Sequence, residues 1–297
     1  MVQKKKYGLR ASVRLAGLCI ALHLAGPAVA AQPAQVDPLQ LEATIGWDDN
    51  LTRSGDAASR LGDRLHTVSA SRHAVIPLAE HVQAGVDGFI SAEKLARYEG
   101  LDRLAGGVTG QLQYRRSAAF DAPTFALIAS WQREQYRSNQ RTGSRFALGA
   151  SARQSWTDRI DAFAALNASR RHAEDSVFDQ RERGARVRID YSAGKLGTIY
   201  AGVEHRRGDI VTTSLGFEAD YAHAARADAP DAAFGPGFHA YRLDGRTTIW
   251  TLGWSLPLNS KQALDFSWRQ VLSSASIPAE TVQYRSTLYS LAYLLQF

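Results

Sequence analysis

Cysteine is almost absent from this 297-residue chain. The single one, Cys19, lies inside the N-terminal leader. Residues beyond that leader therefore have no disulfide and no thiolate metal site. Beyond the same leader there is no run of about 18 apolar residues, which excludes a transmembrane helix. Lysine is scarce: past residue 31 only Lys94, Lys195 and Lys261 occur, and the other cations are arginines. Helical spacing of apolar residues is also hard to find. Nor does charge point to nucleic acid. The formal net charge of +6 falls to +1 once the five leader cations, Lys4, Lys5, Lys6, Arg10 and Arg14, are set aside, and no acid accompanies them.

The first thirty residues carry a basic segment, then the apolar stretch LAGLCIALHLAG, then the small residues Ala28, Val29 and Ala30. This three-part order predicts a secretory signal peptide over residues 1–31. Residues 32–297 are then a single exported domain. Cys19 follows Leu18 rather than a small residue, so it reads as a passive member of the apolar stretch and not as a lipidation site.

What fills that domain is alternation. Twelve stretches, most of 10–14 residues and two of 16 and 17, alternate small or apolar with polar side chains, at 39–48, 63–76, 81–94, 102–115, 123–136, 143–156, 159–172, 182–193, 196–208, 241–257, 261–272 and 282–297. Their connections alternate between short (77–80, 117–122, 157–158, 194–195, 258–260) and long (49–62, 95–101, 137–142, 173–181, 209–240, 273–281). Soluble strands average about 5–6 residues, whereas a tilted membrane-spanning strand needs about 9–11. Length and loop rhythm together predict an all-β protein, a transmembrane antiparallel β-barrel of about twelve strands with one trimmed rim and one decorated rim. By parity, Leu39, Leu41, Ala43, Ile45 and Trp47 share a face in the first strand. Ala185, Val187, Ile189 and Tyr191 do so in the eighth, opposite Arg186, Arg188 and Asp190. The second and seventh strands leave their facing open.

The terminal segment YSLAYLLQF resembles that of Gram-negative outer-membrane β-barrel proteins, and IGWDDNLTR at 45–53 is similar to the opening of β-barrel porin families and of the barrel in surface-lipoprotein assembly modifiers. The resemblance implies location in the outer membrane, with lipid around the wall. It also implies a partner, the barrel-assembly machinery, that reads Leu291, Tyr293, Leu295 and Phe297. The last strand is expected to close the ring against the first.

The polar face of the predicted barrel holds Asp87, Glu93, Arg115, Glu134, Arg145, Arg153, Arg186, Arg188, Asp190, Glu204, Arg206, Asp265 and Arg269. Two readings stand side by side. These charges line a pore for small hydrophilic solutes, with the arginines favouring anionic ones, or they pair across neighbouring strands and plug the lumen of a barrel that serves as a surface interaction or structural protein. Loop 209–240 either folds inward as a constriction or projects outward. Asp48, Asp49 and Asn50 are oxygen-rich, but their spacing suits a strand-ending turn better than a calcium loop. A third reading, a lipid-acting or proteolytic enzyme, has little support: there is no G-x-S-x-G, and Ser71 with His73 is one same-face pair of a kind that strands produce by coincidence. No catalytic residue, metal or cofactor is assigned.

Overall fold

In a computed structural model that describes residues 34–277 and 281–297, the alternating stretches are antiparallel strands. The expected leader, 1–31, lies outside the described residues. The twelve long strands are β1 (Gln40–Asp48), β2 (Asp63–Ala79), β3 (Val82–Leu95), β4 (Arg103–Arg115), β5 (Thr124–Tyr136), β6 (Gly143–Ser155), β7 (Ile160–Ala173), β8 (Gln180–Ser192), β9 (Thr198–Leu215), β10 (Phe238–Pro257), β11 (Gln262–Ser276) and β12 (Thr281–Gln296). Each pairs with its chain neighbours, and β12 pairs with β1 from Leu288↔Asp48 to Gln296↔Gln40. The backbone amide of Phe297 donates to the Leu39 carbonyl at 3.1 Å. The ring is thus closed by the terminal strand as expected, and no edge is left with unpaired N–H groups, which hydrocarbon would not satisfy. Two short strands decorate the ring: Gln35–Val36 against β2, and Ala227–Pro230 against β10.

The wall is apolar outward. Leu166 is 65% exposed and Ile90 64%, whereas the inward carboxylate residue Glu134 is 4% exposed. Outward Trp47, Trp131, Tyr191, Trp254 and Tyr293 are also exposed. Facing matches expectation in the first and eighth strands. It also settles the two left open. In β2, Thr67 pairs with inward Thr44 and Glu93, so His66 and Val68 face out. In β7, Phe163 pairs with inward Arg153 and Arg188, so Leu166 and Arg170 face out.

Strand lengths differ from expectation at one rim. β9 continues seven residues past 208, β10 begins at Phe238, and β11 runs to Ser276. The connection expected over 209–240 shrinks to 216–237, and that over 273–281 to 277–280. Pairing persists because Gly208, at φ 145, sits where a Cβ would collide with the Arg181 carbonyl. A glycine there lets the strand bend and go on. Asp209 beyond it is buried.

Buried apolar side chains cluster at the long-loop rim. Ile210, Tyr241, Leu243 and Tyr284 form one group, Leu95, Leu101, Ala233 and Phe234 a second, Ala173, Val177, Phe178 and Ala240 a third.

Candidate functional site: a charged lumen beneath a covered mouth

The cross-strand ladder fixes which side chains look inward, because directly paired residues share a face. Starting from Arg188, the row runs through Gly202, Thr251 and Arg269. The row beside it runs from Arg186 through Glu204 and Ile249 to Val271. Asp87, Glu93, Arg115, Arg145, Arg153, Arg206 and Asp265 fall on the same inner face.

Many of these charges are paired. Arg145 donates to Gln180 at 2.9 Å and to Glu182 at 3.4 Å. Arg153 reaches Asp161 at 3.3 Å, Arg188 reaches Asp190 at 2.6 Å, and Arg206 reaches Glu204 at 2.6 Å. Glu93 accepts from Arg103 at 3.3 Å, which also reaches Glu134 at 3.2 Å. Glu134 accepts from Arg171 at 3.0 Å, and Arg171 is itself only 7% exposed. Asp265 accepts from the Tyr200 hydroxyl at 2.9 Å. The Tyr200 ring lies over Gly253, where a Cβ would overlap it, and under the Arg188 guanidinium at 4.1 Å. Arg115 donates to the Ala119 carbonyl at 2.9 Å, in the short turn.

Five predicted residues have no charged partner among the described residues: Arg115 and Asp265, bonded to the neutral groups just named, Asp87, Arg186, which lies over the Phe163 ring at 5.1 Å, and Arg269. Arg186 and Arg269 border a cavity of about 560 Å³, together with Arg145, Arg188, Glu204 and Arg206 from the expected set. Arg53, Glu182, Tyr200 and Asp209 also line it. Six arginines thus face three acids there. Sequence reasoning missed Arg53, which lies in a loop, and Arg171, which lies in a strand whose facing was open.

Above the cavity, the β9–β10 hairpin leaves its own place in the ring and crosses the mouth. Its residues touch the loops that follow β1, β3, β5 and β7. The Thr213 amide donates to the Thr52 carbonyl at 2.8 Å, and the Leu215 amide to the Ser59 hydroxyl at 3.0 Å. Ala233 and Phe234 pack on Leu95 and Leu101, while Ala240 packs on Val177 and Phe178. Asp231, 1% exposed, accepts from Arg141 and from the Thr213 hydroxyl at 2.9 Å. Of the two courses expected for this loop, the inward one is observed, across the mouth.

The oxygen-rich trio behaves as a tied turn. Asp48 accepts from Arg53 at 2.6 Å, from the Ser286 hydroxyl at 2.7 Å and from the Asn50 amide at 2.9 Å. Asp49 accepts from the Thr287 amide at 2.7 Å. Farther along the loop, Asp56 accepts from the Ser59 hydroxyl and from the Ala58 and Ser59 amides, which hold its carboxyl below the ordinary carboxylate pKa. No group of three or more His, Cys, Asp or Glu poised for a metal occurs among the described residues. No hydrogen bond joins Ser71 to His73 there either.

Strand order, outward apolar wall and charged interior together define the class of fold: a closed, transmembrane-type antiparallel β-barrel, porin-like in architecture. No family model matches the sequence, and no curated protein does. Solved structures do. An outer membrane channel from Pseudomonas putida F1 aligns over 90% of this chain and 97% of its own, at 13% identity and a TM-score of 0.54. An anion-selective porin from Comamonas acidovorans aligns over 89% and 100%, at 10% identity and a TM-score of 0.44. A KdgM porin in complex with disordered oligogalacturonate aligns over 87% and 99%, at 11% identity and 0.41. At such identities the likeness is one of fold.

Proposed function

We propose that the protein is an outer-membrane channel for passive diffusion of small hydrophilic solutes, with a preference for anions, and not an enzyme. The observation that carries this reading is the cavity, where Arg186 and Arg269 face the interior without a carboxylate and arginines outnumber acids. An anion entering such a lumen gives up part of its water, and guanidinium N–H groups replace it. The remaining paired charges keep the wall polar without holding the solute tightly. The hairpin over the mouth narrows the route, so conductance is small and passage favours compact solutes. In this reading Asp87, Glu93, Arg115, Arg145, Arg153, Arg186, Arg188, Glu204, Arg206, Asp265 and Arg269 line the pore. The leader directs export, and Leu291, Tyr293, Leu295 and Phe297 are read by the assembly machinery.

Single-channel recording in planar bilayers tests it. Wild type should open, and its reversal potential in a salt gradient should report anion preference. In Arg186→Gln with Arg269→Gln, that preference should fall toward neutrality. The covered mouth favours a second reading, a plugged barrel that acts through its outer loops. A folded barrel that stays silent in the bilayer would select it.

A further inference from the structure

The outer wall carries a second arginine cluster, separate from the lumen. On β8, β9 and β10, Arg183 pairs directly with Arg207, and Arg207 directly with Arg246. On β7 and β8, Arg170 pairs directly with Arg181. All five side chains are exposed and outward. Directly opposed residues on one face have Cβ atoms about 4.5–5.5 Å apart, and like charges so placed destabilise a sheet. Normal practice would set an acid between them. Here Arg170, Arg181, Arg183 and Arg207 have no side-chain partner among the described residues, and Arg246 meets only the Ser274 hydroxyl, at 3.1 Å. The carboxylates two residues from the cluster are taken elsewhere: Asp209 and Asp244 by Arg226, at 2.8 and 3.6 Å, and Asp179 by His172 and Arg242, at 3.2 and 3.8 Å.

Their position says what compensates them. On each of the four strands the arginines stand beyond the outward apolar run, toward the long-loop rim. Below them lie Leu166 on β7, Val187, Ile189 and Tyr191 on β8, Ile199 on β9, and Trp250 and Leu252 on β10, all exposed. In a barrel whose apolar band is about 25 Å tall, that level is where acyl chains give way to headgroups. The long loops mark it as the outer leaflet. Guanidinium is the side chain that binds phosphate in a bidentate fashion. We infer that Arg170, Arg181, Arg183, Arg207 and Arg246 form a docking surface for the phosphate groups of an outer-leaflet lipid, with the acyl chains of that lipid lying on the apolar wall beneath. The inference rests on the outer-membrane reading above.

The test uses the full mature chain, refolded in detergent and exchanged into phosphatidylcholine vesicles containing either diphosphoryl lipid A or its dephosphorylated counterpart. Lipid A retained per barrel after detergent extraction is read by native mass spectrometry. The wild type should retain about tenfold more of the phosphorylated form, and the triple variant Arg183→Gln, Arg207→Gln, Arg246→Gln should lose that preference. Heat-modifiable migration in gels shows that the variant is folded, and unchanged channel selectivity shows that the lumen is intact. Equal retention of the two lipids by wild type, or an undiminished preference in the variant, overturns the inference. So does complete displacement of the phosphorylated lipid by millimolar inorganic phosphate, which would make the cluster a site for free anions. A channel that fails to conduct while the lipid preference holds would instead count against the solute-channel reading alone.

Discussion

Asp231 and Arg141 meet as an ion pair across ninety residues of chain, the carboxylate fully buried and the guanidinium lying 4.1 Å over the Phe178 ring. This pair ties the hairpin that crosses the mouth to a loop on the far side of the ring. Removing one member of a buried pair leaves an uncompensated charge and costs about 3 kcal/mol or more. Asp231→Ala should therefore shift the closed-to-open balance of the mouth by about a hundredfold. Single-channel traces should show larger and more frequent openings than wild type; unchanged traces would mean that the apolar contacts of Ala233 and Phe234 hold the hairpin by themselves.

Glu134 is the hub of the inner-wall network, accepting from Arg103 and Arg171. Glu134→Ala strands the buried Arg171 and should destabilise the barrel by about 3 kcal/mol. Urea unfolding in lipid vesicles, followed by tryptophan emission, should show a lower midpoint. Glu134→Gln, which can still accept from one guanidinium, should fall between the two.

Gly253 is the floor on which Tyr200 rests. Gly253→Val would place carbon where the ring now lies, costing about 1–3 kcal/mol of overpacking and breaking the Tyr200–Asp265 hydrogen bond. Released from that contact, the Asp265 carboxylate faces the lumen with no hydroxyl to offset it, so anion preference should weaken along with stability. Reversal potentials that stay at the wild-type value would detach Tyr200 from selectivity.

Deleting Phe297 should separate assembly from stability. The residue contributes one backbone hydrogen bond to Leu39 and an exposed ring. Refolding in detergent should be close to wild type, with a loss of about 1 kcal/mol. The amount found in the outer membrane of expressing cells should fall severalfold. Equal amounts in both strains would remove the terminal aromatic from the assembly signal.

Most of the wall was legible because period-two alternation records a strand with one face in lipid. It failed where the two faces are not chemically opposed. In β7 alanines stand on the outside and Phe163 on the inside; in β2 Leu65 points inward while Arg64 and His66 point outward. It failed again past Gly208, where Thr212, Thr213 and Ser214 are all buried because loops cover both sides of the strand. The charges of the lumen could be enumerated from parity, but their partners could not. Arg171 bonds Glu134 from two strands away, and Arg141 finds Asp231 through a hairpin whose path over the mouth has no local signature. The outer arginines were visible as residues; only the pairing register shows that Arg183, Arg207 and Arg246 face one another.

Ring closure has a topological consequence. Gln296 donates through its backbone to Lys261 in a short turn, and Phe297 does the same to Leu39. The start of β1 and the end of β12 therefore emerge side by side on the trimmed rim. A brief peptide bridge would splice them, and new termini cut into any of the outer loops would give a permuted cylinder with the same wall, the same interior and its tags on the opposite side of the membrane.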